Sequence, residues 1–282
     1  MSSQNKIPLQ GPDFLVIGAQ KAGTTWLYEA LKNHKQIWLP PVKEIHYFTN
    51  PVFKRRIRDA SGHVVNKFIR HALGAEWKEC KWLIDYVFET KPDDQWYLDL
   101  FKYKGNRLSG DFTPDYSKID MDKIRHAKQL LPRTKIIFIM RNPIDRVWSA
   151  LKMMFGKKYL SMITNMEDKE VIKIIQSNPV RKRTDYVTII DNWSACYSDM
   201  HICFFDELIA NPEKFMKEIS DYIGIDWDKN SSGCINTESV NKGKEINIPD
   251  RLHNIIVDSY ADVIKEIAKR YGSYALNWQN QL

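Results

Sequence analysis

The segment FLVIGAQKAGTTWLYEAL, Phe14 to Leu31, commits the chain to one kind of local architecture. Phe14 to Gly18 is an apolar run of strand length, and the apolar periodicity from Thr24 to Asn33 predicts a helix. Between them, small residues surround a single lysine, Lys21. A buried strand that turns through small residues into a helix aims backbone N–H groups and the positive end of the helix at one point. That geometry suits an anion. Thr24 or Thr25 is placed to act as the helix N-cap.

The alternation returns further along. DKIRHAKQLLP from Asp122 reads as a helix ended by Pro132, TKIIFIM from Thr134 as a buried strand, and NPIDRVWSALKMMFG from Asn142 as a helix. The last has Pro143 in its first turn and Gly156 at its end, the usual start and stop residues. MHICFFDEL from Met200 supplies another strand, and a helix follows near NPEKFMKEISDYIG. Strands alternating with helices predict an α/β fold, a P-loop-like and mainly parallel sheet flanked by helices on both faces. In such sheets ligands sit at the carboxyl ends of the strands. Near the carboxyl terminus, Ile255, Ile256, Tyr260, Val263, Ile264 and Ile267 recur at helical spacing, a core-packing face.

No repeat, low-complexity tract or Gly/Ser linker divides the 282 residues, so 1–282 reads as one domain with 1–12 as a flexible start. Residues 53–104, mixed aromatic and charged, read as a mostly helical cover on the substrate side, with a turn at KPDD from Lys91. Nine tryptophans and thirteen tyrosines exclude a disordered chain, and the longest apolar runs are strand-sized, so no membrane span is expected. The opening MSSQNKIPLQGPDF has no basic segment followed by a hydrophobic one, which makes a cytoplasmic location the expectation. Cys80, Cys196, Cys203 and Cys234 show no CxxC spacing, so reduced thiols are expected rather than a zinc site or a disulfide scaffold. A net charge of +7 favours anionic partners: nucleic acid, an anionic nucleotide or an acidic glycan. No RNP, KH or zinc-finger pattern accompanies it, so no specific nucleic-acid partner is expected. The oligomeric state is not legible.

A nucleoside-triphosphate loop follows G-x-x-x-x-G-K-[ST], with the lysine after the second glycine. Gly18 and Gly23 keep that spacing, but Thr24 stands where the lysine belongs and the lysine is Lys21. This argues against a P-loop kinase or NTPase. The run QKAGTTW after a strand instead resembles the 5′-phosphosulfate loop of the sulfotransferases that use 3′-phosphoadenosine 5′-phosphosulfate (PAPS). IIFIMRNPIDRVWSAL from Ile136 resembles the family's 3′-phosphate site, and VNKGKE from Val240 resembles its late Lys-Gly loop. The resemblance runs from about Asp13 to Trp278 and is weakest over 53–104. Taken singly, Lys21 reads equally as a turn residue, Arg141 as a partner of Asp145 or Asp111, and Lys242 as a solvated cation. Their order on alternating strands and helices is far more specific than any one of them.

The resemblance implies roles. Lys21 neutralises the 5′-phosphate, Ala22, Gly23, Thr24 and Thr25 supply loop donors, and Trp26 stacks on adenine. Arg141 and Ser149 hold the 3′-phosphate, while Lys242 and Gly243 close over the nucleotide, Lys242 touching the sulfuryl group. No metal is required. The cytosolic branch uses a histidine base in a Lys-Thr-His stretch, and the matching LSGDFTPDY from Leu108 has no histidine. The glycan-modifying and bacterial branches use a glutamate after the first helix, which LPPVKEIHYF from Leu39 supplies as Glu44.

In an extended segment Glu44 and His46 point to the same side. Glu44 is expected as general base, with His46 as substrate contact or alternative base. The plainer reading is a surface salt bridge between Glu44 and Lys43 beside a packed imidazole. Asp111 and Thr113 are expected near the substrate as orienting groups. The acceptor is a hydroxyl or amine of a glycan or small molecule, between which the sequence does not choose. A non-catalytic basic protein that binds polyanions is the remaining alternative, and it predicts steep salt dependence without turnover.

Overall fold

The computed structural model describes residues 11–49, 77–87, 92–227 and 247–282. Five strands form one sheet in the order β2-β3-β1-β4-β5, with β1 at Phe14–Gly18, β2 at Ile37–Trp38, β3 at Leu108–Phe112, β4 at Lys135–Met140 and β5 at Met200–Phe204. Every pairing is parallel. Phe14 to Ile17 and Ile136 to Met140 are all 0 % exposed, so both faces of the central strands are covered and their unbroken apolar runs are accounted for. Each large apolar side chain buried this way contributes about 1.5–3 kcal/mol.

The register places Phe14 beside Gly110 and Leu15 beside Asp111. A Cβ at Gly110 would lie 2.2 Å from the Phe14 ring, so this glycine is where the two strands close together. Asp111 therefore enters a sheet whose neighbours are apolar, one residue from the carboxyl end of β3.

Helix α1, Thr24–Lys32, follows the first turn as predicted, but its N-cap is Gly23 rather than a threonine. Gly23 holds φ +85°, and an added Cβ would strike Leu208 and Phe205 at 2.8 and 2.9 Å. Only glycine meets both demands. The helix Pro143–Asn165 runs past Gly156, which breaks it with φ 62° and ψ 176° instead of ending it. The helix Asp250–Tyr271 buries Ile255, Ile256, Tyr260, Val263, Ile264 and Ile267, the predicted core face, and packs on the Pro143–Asn165 helix.

Within 53–104, the described parts include helices at Trp77–Val87 and Asp94–Asp99. Trp82 and Tyr97 from them are 0 % exposed, so this stretch contributes to the core. The late loop with Lys242 and Gly243 lies outside the described residues. Among the described residues, no helix is long and apolar enough to cross a membrane.

Candidate active site

The carboxyl ends of β1, β3 and β4 carry the predicted site. After β1 the chain turns through Lys21, at φ 75°, and Gly23 into α1. The turn is pinned from β4: the Ala19 N–H donates to the Ile139 carbonyl at 2.8 Å and Arg141 Nη1 donates to the Lys21 carbonyl at 3.1 Å. The Arg141 guanidinium lies over the Phe205 ring, 4.9 Å from its centroid, and that ring also packs on Gly23. Tyr186 fixes the backbone here by donating to the Arg141 carbonyl at 2.8 Å. Neither Asp145 nor Asp111 takes a hydrogen bond from Arg141. Its Nε is buried with no hydrogen-bond partner, an orphaned donor of the kind an anionic ligand satisfies.

Burial, then the nearby charges of Arg141 and Lys152, hold the Lys21 ammonium below its usual pKa. Lys152 extends the cation cluster along the helix that carries half-buried Ser149. Gly23 has no side chain to cap α1, so no cap hydrogen bond from that position takes up the first-turn N–H groups. These features fit a phosphorylated nucleotide. Trp26 is 9 % exposed and meets Phe215 edge-on at 6.4 Å, so most of its indole is packed in protein.

The second half of the site is the loop of Glu44 and His46. It docks on β3 through the Glu44 N–H, which donates to the Phe112 carbonyl at 3.1 Å. The expected extended segment is not what brings the two side chains together. Both residues are at positive φ, 65° and 63°, and the coil between them places His46 Nε2 3.1 Å from Glu44 Oε2. His46 is 4 % exposed, so it is a packed imidazole and a partner of the carboxylate at once.

Asp111 and Thr113 support that loop from below. The Thr113 hydroxyl donates to Asp111 Oδ1 at 2.7 Å and accepts from the His46 N–H at 3.4 Å. The hydroxyls of Tyr97 and Tyr116 donate to Asp111 Oδ2 at 2.9 and 2.8 Å, and the Tyr47 N–H donates to Tyr116 Oη at 3.0 Å. Burial raises the Asp111 pKa to about 6 against the opposing effect of these three hydrogen bonds, with the Glu44 charge adding to the rise. Burial, then Asp111, pushes both tyrosines well above their ordinary values. The cluster is a hydrogen-bonded floor that fixes where the Glu44 loop sits.

Lys43 was legible only as a salt-bridge partner, and the structure gives it more. Its Nζ donates to Thr25 Oγ1 at 2.9 Å and to Thr24 Oγ1 at 3.5 Å, and lies 3.7 Å from Glu44 Oε1. No local pattern signals this, because the threonines are eighteen and nineteen residues away. Phe205, beneath both Arg141 and Gly23, was also missed, since it reads as an ordinary strand residue.

Beyond His46, a cavity of about 280 Å³ opens between Thr49, Lys118, Asp120, Lys123 and Lys182. Thr49 joins it to the site by donating to the His46 carbonyl at 2.9 Å. Lys118 also pairs with Asp115 at 3.0 Å, and Asp115 is matched by Arg183 at 2.9 Å, so the wall keeps a surplus of positive charge.

Fold and site together define an α/β protein whose glycine turn, clustered cations and paired carboxylate and imidazole meet at the carboxyl edge of a parallel sheet. The chain belongs to the sulfotransferase family, whose profile matches residues 12–229. It is 25 % identical over 236 residues to the bifunctional heparan sulfate N-deacetylase/N-sulfotransferase 2 of Bos taurus, covering 76 % of this chain and 22 % of that protein. It is 27 % identical over 231 residues to the human N-deacetylase/N-sulfotransferase 1, again covering 76 % of this chain and 22 % of that protein. The chain thus spans about a fifth of the length of these curated relatives. The fold is that of a sulfotransferase from Alicyclobacillus acidocaldarius, with TM-score 0.67 and 18 % identity over 95 % of this chain and 98 % of that one.

Proposed function

We propose that this chain transfers a sulfuryl group from PAPS to a hydroxyl or amine of a glycan, with Glu44 as general base. The observation that carries the reading is the separation of donor loop and base by one side chain: Lys43 touches Thr25 at 2.9 Å and Glu44 at 3.7 Å. Donor and acceptor must meet within such a distance for in-line transfer.

Bound at this loop, PAPS supplies an activated sulfuryl group on a phosphate that can leave. Lys21 and the hydroxyls of Thr24 and Thr25 face that phosphate, and the first-turn N–H groups of α1 add their dipoles, so charge developing there is stabilised without reorganisation. Arg141, with its orphaned Nε, holds the 3′-phosphate together with Ser149, since a guanidinium fork suits a set of anionic oxygens. Trp26, for all its packing, is the residue assigned to adenine, and Lys242 and Gly243 close over the nucleotide. Glu44 accepts the acceptor's proton, and His46, hydrogen-bonded to it, fixes the carboxylate's orientation. The lysine-lined cavity beside Thr49 suits an acidic acceptor. The glycan is favoured by the relatives, which are named for N-sulfotransfer on heparan sulfate.

A thermal-shift series tests the donor half. The desulfated product, 3′-phosphoadenosine 5′-phosphate (PAP), is expected to stabilise the protein without magnesium, and ATP to do little. Labelled PAPS with a panel of glycans, lipids and phenols tests the acceptor half. Stabilisation by magnesium-ATP and none by PAP would return the chain to the kinase or NTPase reading.

A further inference from the structure

Three features of Lys43 do not follow from a surface salt bridge. Its side chain is 17 % exposed, although a lysine paired only for solubility stays in water. Its Nζ donates to hydroxyls at the start of α1 on one side and faces Glu44 on the other. Its charged surroundings also differ from those of Lys21: Arg141 and Lys152 act on Lys21, whereas Glu44 and Glu29 act on Lys43. Among the described residues, Lys43 is the cation in contact with both halves of the site.

We infer that Lys43 is a catalytic residue whose ammonium binds the oxygens of the sulfuryl group during transfer, distinct from Lys21, which serves the phosphate. The inference rests on the PAPS reading of the loop. In the transfer the acceptor oxygen or nitrogen attacks sulfur, and a new S–O or S–N bond forms. The S–O bond to the 5′-phosphate breaks, its electron pair stays on the phosphate oxygen, and the acceptor proton goes to Glu44. The sulfur lies between the leaving oxygen over α1 and the acceptor atom at Glu44, which is the interval Lys43 spans. Thr25, Thr24 and Glu44 hold the ammonium in place, so little reorganisation is needed for it to meet the sulfuryl oxygens.

Charge supports the assignment. Burial holds the Lys43 pKa below that of a free lysine, Glu44 and Glu29 oppose the shift, and Lys21 adds to it. These groups, with the Thr24 and Thr25 hydroxyls, are what face the ammonium. A partly desolvated cation is worth more to an incoming anion than one in bulk water.

The test is equilibrium binding by calorimetry in magnesium-free buffer, without acceptor, comparing PAPS with PAP. Wild-type protein is expected to prefer PAPS. Lys43→Gln should lower that preference on the order of 10- to 100-fold, the value of a charge-assisted hydrogen bond, while leaving the PAP dissociation constant within about threefold. Intact PAP binding also shows that the variant is folded. Lys43→Arg should keep most of the preference and hold it to higher pH than wild type, because a guanidinium does not deprotonate there. An unchanged preference in Lys43→Gln, or equal losses for PAP and PAPS, overturns the assignment and leaves the PAPS reading standing. Failure of wild type to bind either nucleotide overturns both.

Discussion

His46 Nε2 lies 3.1 Å from Glu44 Oε2, across a backbone in which both residues hold left-handed φ values. For residues with side chains of this size such φ values cost of order 1–3 kcal/mol each and persist only where surrounding structure enforces them. Here the enforcement is visible in the Glu44 N–H on Phe112, the His46 N–H on Thr113 and the Tyr47 N–H on Tyr116. A strained pair clamped at three successive points along β3 and its following turn is the arrangement expected of a preorganised acid–base group.

Glu44→Gln is therefore expected to reduce turnover by about 10²–10⁴-fold, the range for a positioned general base, with PAP-induced stabilisation unchanged. Single-turnover transfer of labelled sulfate measures the first quantity and a melting curve the second. Full activity in this variant would move the base to His46.

Removal of the guanidinium in Arg141→Ala is expected to weaken PAP by roughly 10- to 100-fold, on the scale of lost charge-assisted hydrogen bonds. Adenosine 5′-phosphate, which lacks the 3′-phosphate, should lose only the smaller part that comes from Arg141 holding the Lys21 carbonyl. Titrating both nucleotides against both proteins decides the matter, and equal losses would detach Arg141 from the 3′-phosphate.

Gly23→Ala places a Cβ at φ +85° and within 2.9 Å of Leu208 and Phe205. The strain alone is worth about 1–3 kcal/mol of stability. Because Phe205 also carries the Arg141 guanidinium, displacing its ring should lower PAP affinity as well. Urea denaturation with and without PAP reads both effects. A variant as stable as wild type would mean that the Gly23 turn relaxes freely.

Asp111 has a folded pKa of about 6 against an ordinary value of 3.8. Between those values the unfolded chain has released a proton that the native state still holds. This group's contribution to stability is therefore present in acid and is lost as pH rises toward 6. The shift corresponds to at most about 3 kcal/mol. Asp111→Asn removes it, so the variant should gain on wild type as pH rises from about 4 to about 7. Denaturation midpoints taken across that range would run parallel if Asp111 did not titrate in this way.

Much of this architecture is legible in local pattern. The runs at Phe14 and Ile136 are strands because apolar residues without alternation need cover on both faces, and the helix after Asn142 begins at Pro143 because proline suits a first turn. Where the reading slipped, a contact distant in sequence decided the outcome. Thr24 and Thr25 are natural caps, but Leu208 and Phe205 press on the preceding position, so Gly23 caps the helix and the threonine hydroxyls meet Lys43. Glu44 and His46 do meet, through a left-handed coil set by β3 and Tyr116 instead of by strand alternation.

The sequence by itself determined β1, β4, β5 and the helices beside them, the glycine turn with its displaced lysine, and which titratable residues the chain has to offer, because each depends on neighbours within a few positions. The tertiary structure alone decided that Lys43 spans the gap from Thr25 to Glu44, that Tyr97 and Tyr116 share Asp111, and that Phe205 supports Arg141. Those pairings join segments whose spacing carries no periodic signal. They arise from the crossover order of the parallel sheet, which brings the carboxyl ends of strands far apart in the chain to one edge.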